Sequence, residues 1–79
     1  MTRFWFDAEV GYGIGVTAHS VADARQQIEN EELLQSVKLT GVVIENVDIR
    51  RLDQQHVVPN IGPPSFRGIW YPNLTVLRS

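Results

Sequence analysis

Seventy-nine residues, 43% of them hydrophobic and 20% charged, place the chain among small globular folds, near the lower limit of what stands without a metal or disulfide staple. The lack of cysteine excludes a disulfide framework and a thiolate zinc site. A formal charge of −2, with the basic residues scattered except for Arg50-Arg51, removes the drive toward a polyanion.

Arg3 to Ala8 reads as a first strand, with Phe4 and Phe6 on one face and Trp5 on the other. No apolar run reaches the ~20 residues of a membrane span, and this aromatic start lacks a signal peptide's apolar stretch. A soluble, cytoplasmic, single-domain chain (residues 1–79) is expected, with neither membrane nor nucleic acid among its partners. Gly11-Tyr12-Gly13 supplies residues that tolerate positive φ. After it, Ile14, Val16 and Ala18 alternate with Gly15, Thr17 and His19 as in a half-buried second strand, so the two strands form a hairpin.

Ser20-Val21-Ala22-Asp23 has the spacing of a capping box and predicts a helix from Val21. Its apolar stripe is Val21, Ala24, Ile28 and Leu33 or Leu34. Asn30 ends or bends it, and Glu31 to Val37 forms a looser last turn. The acidic residues Glu29, Glu31 and Glu32 read as a solvated face. Thr40 to Val47 predicts a third strand, placed in the sheet interior because Val42, Val43 and Ile44 are apolar on both parities. Phe66 to Tyr71 can add a short strand, and Leu74 to Leu77 a further strand or ordered tail.

Between them runs the densest segment, from Asp53 to Pro72, which holds all four prolines. Each proline fixes a torsion and removes a donor, so the segment reads as a stiff loop that can present side chains. Asn60 with Gly62 suits a turn of positive φ, and Pro63-Pro64 a polyproline II stretch.

Gly11-x-Gly13-x-Gly15 lacks the third glycine spacing of a dinucleotide loop and runs into a strand, so turn glycines are the better account. Two histidines without an H-x-x-x-H spacing give no transition-metal site, and no cofactor is expected. His19 caps or packs. His56 bonds loop carbonyls or, if catalytic, is oriented by Asp53, with Ser65 the only nearby loop hydroxyl; no catalytic set stands out. Arg67 reads a carboxylate, stacks on an aromatic ring or bonds strand carbonyls. Of Trp70 and Tyr71, one fills the core and the other is free to anchor a partner.

The chain resembles a group of small bacterial proteins with a G-[IV]-G-V-T-A-x-S segment, here Gly13 to Ser20, and an H-V-x-P-N-x-G-x-P-x-x-R-G-[IV]-W-[FY]-P segment, here His56 to Pro72. The likeness covers about a third of the chain. It implies a shared loop signature and brings no activity, ligand or catalytic residue with it.

The expected architecture is α+β, in ββαβ(β) order. A mainly antiparallel sheet of three to four strands carries one helix on one face, and the long proline-rich loop wraps an edge or end. The expected function is a non-enzymatic protein-binding module of the inhibitor or immunity type from a bacterial interaction system. Its binding residues are Arg67, Trp70, Tyr71 and His56, and its partner is another protein or a second copy in a homodimer. The alternatives are a small enzyme or ligand-binding domain with a pocket at His56, Arg67 and Tyr71, assisted by Asp53, and a structural subunit of a larger assembly.

Overall fold

The structure is a computed structural model and describes residues 1–74. Strands β1 (Thr2–Ala8), β2 (Ile14–Ala18), β3 (Leu39–Glu45) and β4 (Gly68–Tyr71) form one antiparallel sheet in the order β3-β1-β2-β4. Helix α1 (Val21–Glu29) lies between β2 and β3 in sequence. The α+β architecture expected from the sequence is therefore the one observed. The strand or ordered tail expected from Leu74 to Leu77 lies, beyond Leu74, outside the described residues.

The hairpin forms because β1 buries Phe4 and Phe6 on one face and Trp5 on the other, and Gly11 and Gly13, at φ +86° and +139°, turn the chain where a side chain would be strained. Ser20 then caps α1: its hydroxyl accepts from the Asp23 N–H at 3.1 Å, and the Asp23 carboxylate accepts from the His19 N–H at 3.0 Å. That is the reciprocal logic of a capping box, with the return bond reaching one residue further back than usual. Ala24, Ile28 and Leu34 carry the buried stripe, whereas Val21 and Leu33 face outward. Asn30 ends the helix and the chain tightens into a 3-10 turn at Glu32–Leu34, capped by the Glu31 side chain.

Two cores lie on opposite faces of the sheet. Phe4, Phe6, Ile14, Val16 and Ala18 pack under α1 with Val43 and Leu39 of β3. Trp5 and Trp70 pack on the other face against Val47, Val57, Leu52 and Ile61. Every residue of β2 is buried, including the small Gly15 and Thr17, where a half-buried strand was expected. The reason is that the segment after β3 covers the second face instead of wrapping an edge or end. It does so through Val57 and Ile61, two apolar residues set among prolines and polar groups.

Three further expectations are corrected. β3 is an edge strand, since among the described residues it pairs only with β1, and its apolar run is largely exposed. Asn60 and Gly62 do not adopt positive φ. Asn60 ends a 3-10 turn at Val58–Asn60, and the Gly62 N–H donates to the Trp70 carbonyl at 2.7 Å. Among the described residues, the left-handed positions in the second half of the chain are Asn46, which closes β3 at φ 55°, and Gly68, which opens β4, with Gly41 inside β3 itself. Asn tolerates that conformation better than most residues because its short polar side chain bonds locally.

Candidate functional site

Asp53 organises the loop that carries His56. Its Oδ1 accepts from the backbone N–H groups of Gln55 and His56, each at 2.8 Å, and lies 3.2 Å from His56 Nδ1. These bonds, the backbone ones first, hold the Asp53 carboxyl below its ordinary range. The His56 carbonyl accepts from the Asn60 side chain at 2.7 Å, which closes the turn. The imidazole stacks on Tyr12 with ring centroids 5.4 Å apart and planes 16° from parallel.

Tyr71 belongs to the same end of the molecule. It pairs with Gly15 across the sheet and its ring lies 5.5 Å from that of Trp5. Partial burial, with the nearby Tyr12 and Asp53 adding to it, pushes its phenol up. The structure thus groups Tyr12, Asp53, His56 and Tyr71 where the β1–β2 turn meets the loop.

Arg67 stands elsewhere. It precedes Gly68, which pairs with Thr17 at the opposite end of β2 from the turn. Its guanidinium grips Asp23 of α1 as a fork, Nε to Oδ2 at 3.0 Å and Nη2 to Oδ1 at 2.5 Å. Asp23 is consequently held at a pKa of about 2, chiefly by this side-chain bond and next by the His19 N–H. Among the described residues no hydrogen bond, ion pair or ring contact links Arg67 to His56. Arg67 does read a carboxylate, but one inside the chain.

Trp70 is 1% exposed and fills the core under the loop. Its ring packs 5.9 Å from that of Trp5, and its buried Nε1 has no hydrogen-bond partner among the described residues. Ser65 lies beside Arg3 and Thr17, far along β2 from His56, so the hydroxyl, imidazole and carboxylate of a triad are not assembled. Among the described residues no three His, Asp or Glu side chains cluster as a metal would require. No described helix is long and apolar enough to cross a membrane.

Comparison with protein-family models, with curated proteins and with solved structures finds no match for the chain.

The outstanding surface feature is one the sequence pattern concealed. Ile44 stands opposite Trp5 in the β1–β3 register and therefore on the loop-covered side of the sheet. Yet the core on that side, as the described residues form it, contains none of β3. Ile44 is left 48% exposed and Val42 57% exposed on the outermost strand. Such an edge offers unpaired backbone groups flanked by apolar side chains. The apolar run at Val42 to Ile44 was the available signal, and it fits an exposed sticky edge as well as an interior strand.

Proposed function

We propose that the chain is a non-enzymatic protein-binding module that takes an extended segment of another protein along the open edge of β3. The observation that carries this reading is the pair of half-exposed branched residues, Val42 and Ile44, on an edge strand whose outer side no described strand pairs with. Strand addition gains main-chain hydrogen bonds along the whole edge, and alternate side chains supply selectivity. Covering these two residues contributes about 1 kcal/mol each, given that each is already half buried. An inhibitor or immunity-type role is consistent with a small rigid domain that acts by occupying a partner's strand-pairing surface.

A second reading, a small ligand-binding or catalytic domain, is favoured by the Asp53–His56 pair beside Tyr12 and Tyr71. A carboxylate that orients an exposed imidazole is an arrangement a general base uses. Arg67 takes no part in it, because Asp23 occupies its fork.

The test is affinity capture from the source cell with wild type beside a Val42→Lys/Ile44→Lys variant, with circular dichroism confirming that both fold. A specific co-purifying protein lost from the variant supports strand addition. Equal recovery of every protein removes the β3 edge from the account. Sedimentation of the purified chain separates a second copy from a foreign partner, since only the former gives a dimer in isolation.

A further inference from the structure

At the end of the sheet away from His56, a cavity of about 330 Å³ lies between the strands and the proline loop. Met1, Arg3 of β1, Asn46 after β3 and Ser65 of the loop are among its lining residues, and none of the described lining residues carries a carboxylate. Arg3 has no acidic partner among the described residues.

The loop meets that arginine, which is exposed at the cavity, through a backbone carbonyl. The Pro64 carbonyl accepts from the Thr17 hydroxyl at 2.6 Å and from Arg3 Nε at 3.4 Å. Thr17 is 3% exposed, so the carbonyl is anchored to a buried side chain of β2. With Nε tied to a backbone oxygen, the guanidinium keeps its Nη1 and Nη2 groups as a planar pair of donors. That pair matches two coplanar oxygens. The Ser65 hydroxyl and the Asn46 amide add neutral donors in the same cavity.

We propose that this cavity is a carboxylate-binding site, in which Arg3 forks the two oxygens and Ser65 and Asn46 complete the donor set. Arg3 is the one cationic side chain among the described lining residues, and a chain of net charge −2 gives no added attraction to a phosphate dianion. The carboxylate belongs either to the C-terminus of a peptide or to a free small acid, which present the same group. This site is independent of the β3 edge.

The experiment is an NMR titration of the ¹⁵N-labelled chain, following the Arg3 Nε–H and the Arg3, Asn46 and Ser65 amides. The probes are sodium acetate, N-acetyl-dialanine with a free carboxylate, the same peptide as its amide, and inorganic phosphate. Saturable shifts confined to these residues are expected with the two carboxylates and not with the amide. Binding should weaken at least tenfold in Arg3→Gln and severalfold in Arg3→Lys, which keeps the charge and loses the fork. If Arg3→Gln loses the dispersed spectrum of a folded chain, Arg3→Lys decides. Tighter binding of the peptide acid than of acetate assigns a chain terminus, and equal binding a small acid. No saturable shift at tens of millimolar, equal response to the amide, undiminished binding by the deciding variant, or tighter binding of phosphate overturns the proposal.

Discussion

The ring of Trp70 lies directly over the Cα of Gly15, filling the space where a side chain at position 15 would stand. Gly13 bears the same relation to Trp5, whose indole and the Phe6 carbonyl occupy the place of its Cβ. The Gly-x-Gly pair therefore forms the floor on which two tryptophans sit, and neither glycine is free to cradle a phosphate.

Gly15→Ala should cost about 3 kcal/mol, at the upper end of typical overpacking, because Trp70 is enclosed and cannot swing away. Gly15 does not need positive φ, so the loss is steric. Gly11→Ala meets no neighbouring atom and should cost only about 1 kcal/mol, from its left-handed backbone. Urea unfolding compares the two. A Gly15 variant as stable as the Gly11 variant contradicts the packing account.

The same contact implies coupling. Trp70→Phe removes part of the ring that overlaps position 15, together with an unpartnered buried N–H. The Gly15→Ala/Trp70→Phe double variant should be more stable than the two separate losses sum to, by about 1 kcal/mol. A double-mutant cycle by chemical denaturation measures it, and strict additivity would show that the residues do not share space.

Acid should weaken the bridge between α1 and the loop. The Asp23 carboxyl is depressed from 3.8 to about 2 in the fold, so its stabilising contribution is complete above pH 3.8. That contribution is lost as the pH falls through about 2. The pair is partly solvated, and added salt should reduce the effect. In Arg67→Gln the Asp23 carboxyl carbon should titrate at higher pH by NMR, toward the ordinary value. An unchanged titration would mean that the His19 N–H alone holds the carboxylate.

Ser20→Ala should cost about 1 kcal/mol, since it leaves the Asp23 N–H without its cap. Ser20→Gly should cost less. Thermal unfolding of the two variants checks the order.

Local rules made much of this fold legible. Alternation around Trp5 gave the two-faced β1, the Ser20–Asp23 spacing gave the start of α1, and the glycines gave the hairpin turn. What remained hidden depends on contacts distant in sequence. Nothing adjacent to Gly15 shows that Trp70 crosses above it. For Arg67 a carboxylate was one of three open readings, and its pairing with Asp23, 44 residues away, is set by the packing of β4 beside β2 and α1. The apolar run at Val42 to Ile44 has one pattern and two meanings, and only the sheet order selects the edge. Tyr12 looked like a turn residue because its partner His56 lies across the loop.

The most direct test of the β3 edge as a binding surface is photo-cross-linking in the source cell. A photo-reactive phenylalanine analogue replaces Ile44 in one variant and Gln26, exposed on α1, in another. The expected result is a discrete protein adduct from position 44 and none from position 26. An adduct from position 26 alone, or none from position 44 in a folded chain, would contradict strand addition at β3.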